Sequence, residues 1–209
     1  MKLIGNYLSP YVRRVAISLN ALGMPFELEQ TYVFKSPERV RKLNPLVRIP
    51  TLVLDSGEVL VESYAILDEL DQIAGFEHCL IPLSGNERRH VMKVTALGVG
   101  SMEKAQWAFY EGRFRPAEKI HPPWIEHNEK QVLSGLGYLN DLAEQAGDSG
   151  WLAGTERMTQ ADITGVVAYS FADAVRPALE IPKRLPSLAG FASRCEAMSI
   201  FRDAPIPTT

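Results

Sequence analysis

The sequence predicts an α/β domain built on a mixed sheet, followed by an all-helical domain. Three observations carry this expectation. Strand-like and helix-like patterns alternate through the first third of the chain. A stretch holding Gly75, Pro82, Ser84 and Gly85 then breaks the periodicity, and strand signals vanish beyond it. The length, 209 residues, suits two domains of about 80–130 residues each better than one. The expected boundaries are 1–76 for the α/β domain, 77–86 for a linker and 87–209 for the helical domain.

Each element has a local reason. Lys2 to Tyr7 is short and apolar enough for a buried strand. Ser9-Pro10 opens a helix whose Val12, Val15, Ala16, Leu19 and Leu22 share one face. Gly23 ends it, because glycine adopts the left-handed C′ conformation at little cost. Phe26 to Val33 reads as a second strand, and Pro37 to Leu43 as a short helix stopped before Pro45. Thr51 to Leu54 and Glu58 to Val61 flank Asp55-Ser56-Gly57, a hairpin signal. Ser63 is expected to cap a helix carrying Ile66, Leu67 and Leu70. The order β-α-β-α-β-β-α needs a parallel crossover and an antiparallel hairpin, hence a mixed sheet. It matches the thioredoxin-like fold.

Downstream, four helical stretches are expected: 87–115, 126–146, 161–173 and 185–198, the first weakened in propensity by Gly98 and Gly100. Thr159 and Asp162 have the spacing of a capping box, with Met158 and Ile163 placed as a hydrophobic staple. The tail Pro205 to Thr209 is expected to fray.

Composition excludes several classes. Hydrophobic residues make up 46% and charged residues 22%, an ordinary globular balance. A net charge of -3 offers no basic field for nucleic acid. No apolar run approaches a membrane span, and no secretory signal precedes Arg13 and Arg14. Cys79 and Cys195 lie far apart, which suits a reduced, cytoplasmic protein. His78, His90, His121 and His127 have no zinc spacing, so no metal is expected. There is no P-loop and no Gly-x-Ser-x-Gly elbow.

Two short motifs suggest a ligand. Pro50 stands just before a strand, where an X-Pro bond has lost most of its trans preference. A cis Ile49–Pro50 bond would turn the Ile49 backbone outward to pair with a bound peptide; a trans proline starting an edge strand is the alternative. Glu62-Ser63 lies between strand and helix. Free N–H groups at a helix start suit a carboxylate, and an adjacent glutamate suits an ammonium group. Together they fit an amino-acid head; a plain cap beside a solvated glutamate is the alternative.

The ordered set Asn44-Pro45, Arg48-Ile49-Pro50, strand, turn, strand, Glu62-Ser63 resembles the glutathione-binding core of cytosolic glutathione transferases. Leu8-Ser9-Pro10-Tyr11-Val12-Arg13-Arg14 resembles the serine-type catalytic turn of that family. The resemblance implies that Glu62 and Ser63 hold the γ-glutamyl end of glutathione, and that Ile49 beside Pro50 pairs with its cysteinyl backbone. It implies that Arg48, or Lys35, faces the glycyl carboxylate. It implies that Ser9 donates a hydrogen bond to the glutathione sulfur, with Tyr7 as rival. A pocket for a small apolar electrophile is implied near Tyr11, Trp107, Tyr110 and Arg113, with Phe109 and Phe114 beside them and Phe201 as a cap. Glutathione would be a co-substrate, with no prosthetic group, and the protein a homodimer. A non-catalytic interaction module of the same fold, or a glutathione-dependent isomerase, peroxidase or dehalogenase, remain alternatives.

Overall fold

The computed structural model describes residues 1–207, and the chain separates into two compact units. The first runs from Met1 to Leu83 and is joined by the segment from Met198 onward; the second runs from Ser84 to Ala197.

The first unit holds β1 (Lys2–Gly5), α1 (Pro10–Ala21), β2 (Glu27–Gln30), α2 (Pro37–Arg41), β3 (Thr51–Val53), β4 (Val59–Val61) and α3 (Ser63–Ala74). The sheet order is β2-β1-β3-β4, with β1–β2 parallel and the other two pairings antiparallel. This is the thioredoxin-like arrangement. Leu3 pairs with Leu28 on one side and Leu52 on the other. β1 is one of the two inner strands, and its Leu3 and Ile4, which point to opposite faces of the sheet, are both fully buried. The strands are shorter than the apolar runs that predict them. The β1–β2 ladder closes where the Asn6 side-chain amide donates to the Thr31 carbonyl at 2.9 Å.

Helix α1 lies close on β1. Gly5 has φ +151°, and a Cβ there would stand 2.5 Å from a Val12 methyl carbon, so only glycine permits the approach. Val12, Val15, Ala16 and Leu19 are fully buried, as their spacing requires. Arg13 and Arg14 are buried with them, which the stripe does not anticipate. Gly23, at φ +66°, follows the last turn and ends the helix.

In the second unit, α4 (Gly85–Phe114), α5 (Pro122–Ala146) and α6 (Gln160–Val175) are followed by α7 (Ile181–Arg184) and α8 (Pro186–Glu196). Helix α6 packs against α4, α5 and α8. Its Ala161, Ile163, Val166, Val167, Ala168 and Ala172 are all fully buried. Helix α4 is continuous through its glycines. At Gly98 a Cβ would stand 2.9 Å from the Thr164 methyl, so the glycine serves as a contact point between α4 and α6. The apolar stripe of α4, including Val91, Val94, Met102 and Ala105, is buried.

The capping box of α6 forms. The Thr159 hydroxyl accepts from the Ala161 N–H at 3.3 Å, and the Asp162 carboxylate accepts from the Thr159 N–H at 2.7 Å. Asp162 also accepts from the Leu152 N–H at 2.7 Å, which ties the preceding loop to the helix start.

After α8 the chain returns to the first unit, where α9 (Ser199–Arg202) packs on α1. The expected cut near residues 77–86 does not anticipate this return. Phe201 is fully buried there, so the expectation that it caps a pocket is corrected: it is a core side chain. Of the tail expected to fray, Thr208 and Thr209 lie outside the described residues.

Candidate functional site

The site is built on three junctions of the first unit. At the first, between β1 and α1, Ser9 is the N-cap of α1 and Pro10 its first residue. The cap bond is long: the Ser9 Oγ accepts from the Val12 N–H at 3.4 Å. A hydroxyl at this helix start sits in the positive end of the dipole. Tyr7 is half-buried nearby in sequence. Burial, and then the Asp203 carboxylate, push its phenol above the ordinary value. That makes the Tyr7 hydroxyl a weaker proton donor than a free phenol.

At the second junction, before β3, the Ile49–Pro50 peptide bond is cis. Its loop is held by Asn44, which is fully buried. The Asn44 side-chain oxygen accepts from the Leu46 N–H at 2.9 Å, and its amide donates to the Arg48 carbonyl at 2.9 Å. Thr51 Oγ1 donates to the same carbonyl at 3.2 Å. The sequence marks Asn44-Pro45 only as part of a pattern; the Asn–Pro pair before a second X-Pro was the available signal for this bracing role.

At the third junction α3 begins. The expectation that Ser63 caps it is corrected. Ser63 is the first helical residue, Glu62 holds the cap position, and no side-chain cap bond forms. Glu62 has φ +66° and ψ +132°, a region that non-glycine residues seldom adopt and that marks functional positions more often than ordinary turns. The Glu62 carbonyl accepts from Ile66, so the N–H groups ahead of Ile66 are the orphan donors of the helix start. Ser63 is buried and Glu62 partly exposed. A carboxylate beside unpaired N–H groups can take an ammonium and a carboxylate carried on one carbon.

Arg48 and Glu62 meet: the guanidinium lies 3.1 Å from the carboxylate. The second and third junctions are thus joined by a side-chain contact, and Arg48 stands at the Glu62 end of the site. Lys35 is exposed and stacks 5.3 Å from the centre of the Tyr32 ring. Tyr11 is half-buried in the first turn of α1. In the second unit, Trp107, Tyr110 and Arg113 all lie on α4. Tyr110 is edge-on to Phe114, with ring centres 5.0 Å apart, and its hydroxyl accepts from Gln106 at 2.7 Å. Trp107 is half exposed and Arg113 exposed.

The chain resembles known proteins in sequence and in fold. The family model described as "Glutathione S-transferase, N-terminal domain" matches residues 3–78. The "Uncharacterized GST-like protein YibF" of Escherichia coli (strain K12) is 31% identical over 144 residues, 68% of this chain and 71% of that protein. A maleylacetoacetate isomerase of Pseudomonas aeruginosa is 27% identical over 100% of this chain and 99% of its own. Among solved structures, a glutathione S-transferase of Methylobacterium radiotolerans in complex with glutathione sulfonate superposes with a TM-score of 0.86 at 29% identity, covering 100% of this chain and 95% of the other. The chain belongs to the glutathione S-transferase family. No helix among the described residues is long and apolar enough to cross a membrane.

Proposed function

We propose that this protein is a glutathione transferase that joins the glutathione thiolate to small apolar electrophiles. The observation that carries the reading is the Glu62–Ser63 junction: a carboxylate held at φ +66° against the open start of a twelve-residue helix. In this reading Glu62 takes the γ-glutamyl ammonium and the α3 N–H groups its carboxylate. The Ile49 backbone pairs with the cysteinyl residue, and Ser9 donates to the sulfur. Arg48 shares the γ-glutamyl end, and Lys35 is the basic group left for the glycyl carboxylate. Tyr11, Trp107, Tyr110 and Arg113 serve the electrophile. The protein works as a cytoplasmic homodimer, a role consistent with the exposed Tyr64 and Ile73 on α3.

A free thiol with a pKa of about 8.5 is mostly protonated at neutral pH. Each unit of depression corresponds to ~1.4 kcal/mol of preferential thiolate binding. The Ser9 hydroxyl and the α1 dipole act in that direction.

The full-length likeness to an isomerase supports a second reading, in which bound glutathione adds reversibly to a double bond and leaves after rotation.

Calorimetry with glutathione tests the shared step. Glu62→Ala should weaken binding by about 1.5–3 kcal/mol, roughly 10- to 150-fold, by removing a charged hydrogen bond. Unchanged affinity would remove the γ-glutamyl assignment. An electrophile panel run beside a cis–trans isomerisation assay separates the two reactions.

A further inference from the structure

The uncommon backbone conformations of the first unit gather at one ion pair. Among its described residues, the non-glycine residues with positive φ are Val47, at +52°, and Glu62, at +66°. Val47 directly precedes Arg48, and the Arg48 Nη1 lies 3.1 Å from the Glu62 Oε1. A β-branched residue in the left-handed region is a genuine outlier. The Val47 N–H donates to the Asn44 carbonyl at 2.9 Å. The next carbonyl, that of Arg48, accepts from the buried Asn44 amide at 2.9 Å and from Thr51 Oγ1 at 3.2 Å. The backbone that carries Arg48 is therefore fixed on both sides of its Cα.

Folding stability does not account for this arrangement. The Arg48 side chain is 58% exposed and that of Glu62 39%, and an ion pair so open to water contributes little. Each left-handed residue costs more than such a pair contributes. Strain of this kind persists at ligand clamps, where binding uses the geometry that the strain fixes.

The chemistry of the two groups defines what such a clamp takes. A guanidinium has five N–H donors in a rigid fork, so one contact to Glu62 leaves donors for a second carboxylate. A carboxylate has about four acceptor sites, so Glu62 keeps room for an ammonium. An ammonium and a carboxylate carried on one carbon can enter the pair with every charge beside its opposite. The N–H groups at the start of α3 belong to the same junction as Glu62 and favour the same carboxylate. A head that carries an ammonium alone gains nothing from Arg48.

We infer that Arg48 is a specificity-determining residue for the amino-acid head of the thiol substrate: it takes the head carboxylate while its partner Glu62 takes the head ammonium. Resting on the glutathione reading above, this assignment removes Arg48 from the glycyl carboxylate, where the family resemblance alone would put it.

The test titrates wild type and Arg48→Gln by calorimetry with three thiols. Glutathione carries every group. γ-Glutamylcysteine lacks the glycyl carboxylate. γ-Aminobutyryl-cysteinylglycine keeps the ammonium and the glycine but lacks the head carboxylate. Arg48→Gln should bind the first two about tenfold more weakly than wild type does, the low end for a charged hydrogen bond, because the site is open to water. It should bind the third as wild type does. A loss with glutathione and γ-aminobutyryl-cysteinylglycine but not with γ-glutamylcysteine places Arg48 at the glycyl end and overturns the inference. An equal loss with all three means that Arg48 acts only by setting Glu62, and no loss with any leaves a surface ion pair; either result overturns it. Failure of wild type to bind glutathione overturns the glutathione reading itself, and this inference with it. Wild-type binding followed by any of the contrary patterns overturns this inference alone.

Discussion

Replacing Ser9 by alanine separates a helix cap from the proposed thiolate donor, because the cap bond in the structure is weak. The cap bond from Val12 N–H to Ser9 Oγ is 3.4 Å, at the outer limit of hydrogen-bond geometry. Its loss should therefore cost about 0.5 kcal/mol of stability, the low end of the range for N-cap serines. In that bond Ser9 acts as acceptor, so its own proton remains for the sulfur. Losing a hydrogen bond to an ionised partner costs roughly 1.5–3 kcal/mol, or about 10- to 150-fold in rate where chemistry limits turnover. The variant should thus lose several times more transition-state stabilisation than folding stability. Steady-state rates with a chromogenic electrophile give the first quantity and urea denaturation the second. The thiolate pKa should rise while glutathione affinity holds, since the proposed function assigns the grip to Glu62, Ser63 and Ile49. A variant that keeps its rate and thiolate pKa makes Ser9 a cap alone. Tyr7 is the next hydroxyl to remove, although burial and Asp203 already weaken it as a donor.

Two further outcomes concern folding. Asp162→Ala should destabilise the protein by about 3–5 kcal/mol in urea denaturation. It strips the acceptor from the Leu152 and Thr159 N–H groups, both bound at 2.7 Å, and each buried orphan costs roughly 1–3 kcal/mol. A loss below about 1 kcal/mol would mean that the loop relaxes to satisfy them. The Glu29 carboxylate is held below its ordinary value chiefly by its hydrogen bond to Arg39. A lowered carboxylate contributes stability above the unfolded pKa and loses it as pH falls through the folded one. That contribution should disappear below about pH 4.3, and Arg39→Gln should flatten this part of the acid limb. The pair is partly exposed, so the effect should stay under ~1 kcal/mol after screening. An unchanged acid limb in Arg39→Gln would leave the pair without measurable weight.

What the sequence by itself determined about this protein is local. Ser9-Pro10 specifies a helix start, Gly23 a helix end and Asp55-Ser56-Gly57 a hairpin, because each acts on dihedrals within a few residues. Thr159 and Asp162 specify their capping box for the same reason. The ordered motifs from Asn44 to Ser63 carried the family resemblance, and the family model that matches residues 3–78 spans them. The tertiary structure decided what depends on distant neighbours. It set the sheet order, since Leu3 finds Leu28 and Leu52 only after two crossovers. It paired Arg48 with Glu62, and it made Ser63 the first residue of α3 instead of its cap. The chain's return after α8 seats Phe201 in the core and brings the Ala204 carbonyl to Arg13 across 191 residues. Nothing in the spacing of α1 marks Arg14 for burial, which follows only when Tyr64 of α3 packs over it. Burial and charge pairing are properties of the assembled neighbours, and no window of adjacent residues contains them.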